Sequence, residues 1–345
     1  MNAKEIAKIC NVSTATVSNI LNGKPKASKE TIRKVMEIVD KYNYKPNPIA
    51  QGLRTKITKT IGIIVEDIVQ FTSPYVLDGI IDVCEKSGYR VIVENLRRYS
   101  RWGDEWYEKL PEFQSYLEQA IDDLRTVQID GAIYIAGHTR KIENFSEKIG
   151  VPNVISYAFS SDTDITSVQI DDVKGSYELT KYIIDMGHKN IGFIGGDKDN
   201  IHTIRRFEGY QKAILDAGMK FEKKWIAYGK WDRTSGYECA KQIGPADITA
   251  VVCCNDLMSG GFYDYADENK LIVGKDISIG SFDNHVVAEY FKPGLTTMQI
   301  DLGLIGRTSA KKLLEQLENP EEYKSEEIFI PTKLIERGSV AKLEG

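Results

Sequence analysis

The chain has 345 residues, 42% hydrophobic and 28% charged, with a formal net charge of −5, a soluble globular composition long enough for more than one core. No run approaches the ~18 apolar residues of a membrane span and no apolar signal segment opens the chain, so a cytoplasmic protein with no membrane partner is expected. Charge is unevenly placed: residues 1–60 hold 12 Lys and Arg against 4 Asp and Glu, which leaves −13 on the remainder, and a positive head on a negative body is the footprint of a nucleic-acid-binding module. The five cysteines (Cys10, Cys84, Cys239, Cys253 and Cys254) are scattered and odd in number, which fits thiols packed in cores in a reducing compartment.

The first stretch reads NAKEIAKICNVSTATVSNILN. Asn2 with Glu5 three residues on signals a helix start, and Ile6, Ala7 and Cys10 recur at helical spacing. Asn11 breaks that helix, and Ser13 caps a second whose Val17, Ile20 and Leu21 face the first, ending at Asn22-Gly23. Two short helices joined by a turn of about four residues form a helix-turn-helix. Thr14, Ala15, Thr16, Ser18 and Asn19 leave a small polar face suited to base edges. Without the charge pattern, the same residues would also suit an ordinary helical hairpin. Ser28 caps a third helix with Ile32, Val35, Ile38 and Val39 in one stripe. KPNPIAQGLRTK then offers Asn47-Pro48 as the start of one more short helix with Leu53 on its apolar side, too short to hold without a partner.

From Thr60 the rhythm changes. TIGIIVED, YRVIVENL, DGAIYIAG, PNVISY, NIGFIGG, ITAVVCCND and DISIGSFD read as strands buried on both faces, with helices such as Ser73 to Lys86 and Val173 to Met186 between them. That pattern predicts doubly wound parallel sheets, which bind ligands beyond the carboxyl ends of their strands. The polar residues there are Glu66, Asp67, Asn255, Asp256 and Asp283, with Arg206 and Trp231 at nearby helix starts. Asp256 reads as a helix cap. Carboxylate, amide and guanidinium around an indole suit a polyhydroxylated ligand such as a sugar. The four histidines (His138, His188, His202 and His285) lie in separate segments, of which His202 is the one near the expected cleft. With no nucleophile elbow, P-loop or GxGxxG, no enzyme, metal site or cofactor is expected.

The runs KEIAKICNVSTATVSNILNG and SKETIRKVMEIVDKYNYKPNPIAQGLR resemble the DNA-binding head of the LacI/GalR family of bacterial transcriptional regulators. The resemblance continues through GVPNVISY, VQIDDVKGSYELTKYIIDMGHKNIGFIGG, RRFEGYQKAI, CCNDLMSGG, ISIGSFD and LTTMQID. It implies a three-helix head over 1–46, a hinge helix over 47–59 and a periplasmic-binding-protein-like core over 60–340. Lobe 1 would hold about 60–158 and 292–320, lobe 2 about 159–291 and 321–340, with three crossings between them. It also implies a homodimeric repressor on a near-palindromic double-stranded operator, with Thr14, Ala15, Thr16, Ser18, Asn19 and Asn22 at the DNA and Leu53 wedging a base step. The effector would be a sugar: the resemblance places Arg206, Trp231, Asn255 and Asp283 at effector-contacting positions, and Asp67, Tyr157 and His202, by their place at strand ends or near the cleft, would join them. Tyr157 stands where some sugar binders of the family carry a carboxylate and Ile300 where a polar residue often occurs, which leaves a purine-responsive regulator as an alternative. A sugar-binding protein without a DNA role and an enzyme on the same fold are the readings from other classes.

LRRYSRWGDEWYEKLP, from Leu96 to Pro111, holds Tyr99, Trp102, Trp106 and Tyr107. So aromatic a segment must cover something, either as a lid over the effector or by packing on its own lobe or across the dimer. Ala341 to Gly345 reads as an appended tail outside the fold.

Overall fold

The computed structural model describes the chain except for residues 22, 24, 25, 45–56, 161–163, 221, 245, 246, 344 and 345 and the side chains of 104, 106 and 107. It separates a unit of residues 1–60 with 128–130 from one made of 61–127 with 131–345.

In the head, α1 (Ala3–Cys10), α2 (Thr14–Leu21) and α3 (Lys29–Lys41) close on one small core. Ile6, Ala7, Val17, Ile20, Val35 and Val39 are buried, with Cys10, Val12, Leu21, Ile32 and Ile38 packed around them. Each start is capped as the side chains dictate. Asn2 and Glu5 form a reciprocal capping box, the Ser13 hydroxyl accepts from Thr16 N at 3.0 Å, and that of Ser28 accepts from Thr31 N at 3.2 Å. Asn11, at φ 53, supplies the left-handed residue that ends α1.

The second unit contains two six-stranded sheets. The first, in spatial order, holds β13 (Glu327–Ile330), β7 (Thr166–Ile170), β5 (Asn153–Ser156), β3 (Gly131–Ile135), β1 (Thr60–Val65) and β2 (Arg90–Asn95). The second holds β14 (Lys333–Ile335), β12 (Thr296–Gln299), β11 (Ser278–Asp283), β10 (Ala250–Cys253), β8 (Ile191–Gly195) and β9 (Ile226–Tyr228). A two-stranded sheet pairs β4 (Lys141–Ile142) with β6 (Phe159–Ser160). β1 runs parallel to β3 with Ile63 opposite Ile133, and β14 is antiparallel to β12. The central strands are buried along their whole length, as parallel strands covered on both faces must be. β2 is the exception among the expected strands: its residues are exposed or half-buried because it is the edge of its sheet.

The expected lobe boundaries need correction. β7 (Thr166–Ile170) belongs to the first sheet, not the second; β12 (Thr296–Gln299) belongs to the second, not the first; and β13 (Glu327–Ile330) returns to the first. The crossings fall after Ile170, after Gln299 and after Ile330. Short apolar runs such as VQI fit either sheet, and only long-range pairing of β7 with β5 and β13 decides between them. Lobe 1 is sealed by helix Leu302–Glu318 against helix Ser73–Lys86, where a Cβ on Gly79 would lie 2.3 Å from the Gly303 carbonyl oxygen; only glycine permits that approach. Ile300 is a core residue of this lobe, 7% exposed. The C-terminal tail is part of lobe 2: Leu343 N donates to Met186 O at 2.8 Å, and His188 Nε2 lies 2.9 Å from Ala341 O.

Candidate DNA-binding head and effector cleft

Helix α2 presents Thr14, Ala15 and Asn19 to solvent, while Thr16 and Ser18 are half-buried. Thr16 Oγ1 lies 2.9 Å from Ser13 Oγ, which ties its hydroxyl to the helix start. Ala15 and Asn19 stand four residues apart and so share one helix face. Asn22, Leu53 and nearly all of the expected hinge helix lie outside the described residues.

In the second unit, polar side chains from the carboxyl ends of both sheets meet between the lobes, where the effector cleft is expected. Arg206, on helix Ile201–Asp216 and only 2% exposed, donates from Nε to Asp172 Oδ1 at 2.7 Å, hydrogen-bonds through Nη1 to the Cys254 carbonyl, and lies 3.8 Å from Asp283 Oδ1. Burial alone would raise the Asp172 pKa, but His202 and Arg206 beside it hold it down at about 2. Asp283 goes the other way: burial raises it more than Arg206 lowers it. Its backbone at φ 104 and that of Asn284 at φ 52 turn sharply after β11.

Trp231, at φ 66, lies against Gly196, where a Cβ would come within 2.0 Å of the indole. Its carbonyl accepts from Asn255 Nδ2 at 2.9 Å. Asn255 is also the N-cap of helix Asp256–Glu268, its Oδ1 accepting from Met258 N at 2.8 Å. The cap is thus Asn255 and not Asp256, which is the first helical residue. Asp256 is fully buried, accepts from His285 N at 2.7 Å and Thr297 Oγ1 at 2.8 Å, and is pushed up to about 7 by burial and by Asp283.

On the first-lobe wall, Tyr157 is buried at φ 64, its ring 5.5 Å from that of His202. Both ring nitrogens of His202 are engaged by the protein: Nδ1 is 2.8 Å from Asp172 Oδ2, and Nε2 accepts from Thr139 N at 3.1 Å. Asp67 is also committed, accepting from Val69 N at 3.2 Å and Ser100 N at 2.6 Å while 1% exposed. His202 and Asp67 therefore help to hold the walls in place. Next to them Glu66 is fully buried, hydrogen-bonded to Tyr134 Oη at 2.7 Å, Gly137 N at 2.9 Å and the Arg140 guanidinium, and ion-paired with Arg98 Nη1 at 3.1 Å. Although burial opposes it, Arg140 and Arg98 keep the Glu66 carboxyl at about 2.

Sequence reading missed Asp172, Thr139, Arg98 and Arg140. Asp172 follows β7, whose place in the first sheet was not foreseen; the other three lie in connections whose paths short motifs do not define. Among the described residues no cluster of three His, Cys, Asp or Glu could hold a metal ion, and no helix is long and apolar enough to cross a membrane. Cys84, Cys239, Cys253 and Cys254 are buried free thiols and Cys10 is half-buried against the head core.

The family profile described as "Bacterial regulatory proteins, lacI family" matches residues 2–47, and that of a "Periplasmic binding protein-like domain" matches residues 180–340. Over 350 residues the chain is 30% identical to the HTH-type transcriptional repressor PurR of Histophilus somni (strain 2336), with 99% of both chains covered. It is 29% identical over 343 residues to the ribose operon repressor of Haemophilus influenzae, again with 99% of each covered. The Lac repressor dimer bound to operator and the anti-inducer ONPF shares its fold, with a TM-score of 0.79 at 21% identity over 99% of both chains. The chain belongs to the LacI family of bacterial regulatory proteins, and it is a DNA-binding transcriptional regulator rather than an enzyme.

Proposed function

We propose that this protein is a homodimeric repressor that reads a near-palindromic operator through α2 and is controlled by a sugar bound between its lobes. The observation that carries the DNA reading is the exposed face of Thr14, Ala15 and Asn19 on a head whose first 60 residues bear a surplus of 8 positive charges. Asparagine can pair in bidentate fashion with adenine, so Asn19→Ala should cost ~1–3 kcal/mol on the operator and relax one base position. Selection of binding sites from random duplexes checks this, and a base preference identical to wild type would overturn the assignment.

Support for the sugar comes from the cleft. Arg206 and Asp283 together offer donors and an acceptor for hydroxyls, and the Trp231 ring, fixed by Gly196 and Asn255, supplies a flat face for C–H groups. Tyr157 and Asn255 complete this set. A ligand selective for the native state raises the melting temperature by mass action. Thermal-shift screening of pentoses, hexoses and disaccharides against nucleobases should therefore yield a sugar, and stabilisation by a nucleobase alone would replace it with the purine reading. Dimerisation finds support in an exposed apolar patch on lobe 2, where Leu257, Val286 and Tyr290 are 45%, 60% and 73% exposed beside a hollow of about 300 Å³.

A further inference from the structure

Several contacts join the lobes, among them Arg205 Nη1 to Gln169 Oε1 at 3.0 Å and the Phe71 ring 4.9 Å from that of His285, and one of them has an unusual chemical requirement. Thr139 lies between β3 and β4 in lobe 1, and His202 lies in the first turn of helix Ile201–Asp216 in lobe 2. Both are buried, at 1% and 5% exposure. The bond between them runs from the Thr139 backbone N–H to His202 Nε2 at 3.1 Å. A backbone amide can only donate, so Nε2 must present a lone pair. The imidazole is then neutral, its one proton sits on Nδ1, and that proton is donated to Asp172 Oδ2 at 2.8 Å. Asp172 in turn accepts from Arg206 at 2.7 Å. An unbroken path of hydrogen bonds thus runs from lobe 1 through His202 and Asp172 to the guanidinium beside Asp283.

We propose that His202 is a proton-sensitive latch between the lobes, closed only while its imidazole is neutral. Adding a proton places an N–H on Nε2 facing the Thr139 N–H; the bond is lost and a buried amide is left without an acceptor, an arrangement that separation of the lobes and entry of water relieve. The groups around the ring divide. Asp172, and Asp283 at the end of β11, favour the imidazolium; Arg206 one turn along the same helix, and His138 on the lobe 1 wall, oppose it. Tyr157 and Trp231 border the ring with centroids at 5.5 and 6.4 Å and carry no charge. Acid therefore exchanges a cross-lobe bond for a tighter ion pair inside lobe 2. The latch itself stands on contacts between the lobes; its consequence, weaker effector binding in acid, rests on the reading of the cleft given above.

The test uses the full chain without effector. With 15N-labelled histidine, only four imidazoles contribute signals, and the one missing from His202→Gln is assigned. At about pH 8 that imidazole should show the neutral pattern with its proton on Nδ1. Across an acid titration begun at about pH 8, protonation of that imidazole should coincide with a rise in the radius of gyration measured by X-ray scattering. His202→Gln, whose amide can accept from Thr139 and donate to Asp172 without titrating, should stay compact across that range. His202→Ala should be expanded throughout, with circular dichroism confirming that it is folded. A proton on Nε2 at pH 8, a radius indifferent to pH, or the same expansion in His202→Gln would overturn the latch. The last outcome would point to Asp256, whose carboxyl is pushed up to about 7 by burial and by Asp283. None of these readouts depends on DNA or ligand, so a failure of the proposed function would show separately, in operator binding and thermal shift.

Discussion

Arg206 shows how one residue can serve both ligand and fold. Its place beside Asp283 suits effector recognition, yet it is 2% exposed and paired with the wholly buried Asp172. Removing one partner of a buried pair leaves the other charge uncompensated, at ~3–5 kcal/mol. Arg206→Ala should therefore lower stability by about that much at neutral pH in urea unfolding, as well as silence the effector response; a loss of response with unchanged stability would make the pair dispensable to the fold. The pH dependence follows from Asp172, whose carboxyl lies at about 2 against an ordinary 3.8. Its stabilisation, of order 2 kcal/mol, is fully present above the unfolded value and is lost as pH falls through the folded one. The gap between wild type and Arg206→Ala should consequently narrow from about pH 4 downwards. Asp283, with a side chain 20% exposed, is the cleaner position for separating ligand contact from folding.

At the scale of elements, the aromatic segment after β2 turns out to be bound to its own lobe. It forms a short helix, Arg98–Trp102, and a 3₁₀ turn, Gly103–Lys109. Arg98 and Ser100 fix its start to Glu66 and Asp67, while the Trp102 ring packs at 5.9 Å against Tyr116, which also carries the Arg101 guanidinium at 4.0 Å. Trp102→Ala should cost the ~0.5–1.5 kcal/mol of an aromatic pair plus its share of burial, read by urea unfolding, with dimerisation and effector affinity unchanged; dissociation or weakened ligand binding would restore the interface or the lid. Local signals were legible where the physics is local. The caps Asn2 and Ser28, the helix Ser73–Lys86 with Pro74 in its first turn, and the buried run of β1 all follow from side chains within a few residues. What could not be read is what distant partners decide. The sheet to which β13 belongs depends on pairing across more than a hundred residues, and the commitment of His202 to Thr139 joins residues 63 positions apart. Strand-end chemistry singled out side chains that the structure brings together between the lobes, but which of them remain available to a ligand is set by those pairings.

For the whole molecule, the proposed reading of a near-palindromic operator requires two heads, so on that reading the strength of operator binding depends on a dimer. Leu257 and Tyr290 border the hollow on lobe 2, and the exposed Val286 adjoins its lining residue Val287. A charge at the centre of such a face must be desolvated on association, which a buried interface cannot compensate without a partner. Tyr290 is 73% exposed and its hydroxyl takes part in none of the hydrogen bonds described above, so Tyr290→Asp should leave the fold of a single chain intact. Sedimentation should then find a monomer at a concentration where the wild type is a dimer, with circular dichroism showing the same folded spectrum. On DNA the consequence is separable by salt. A monomer neutralises about half as many phosphates, so the slope of log affinity against log salt should fall by about half, and the preference for a full palindrome over a half-site should vanish. A variant that remains dimeric would place the interface on another face of the core.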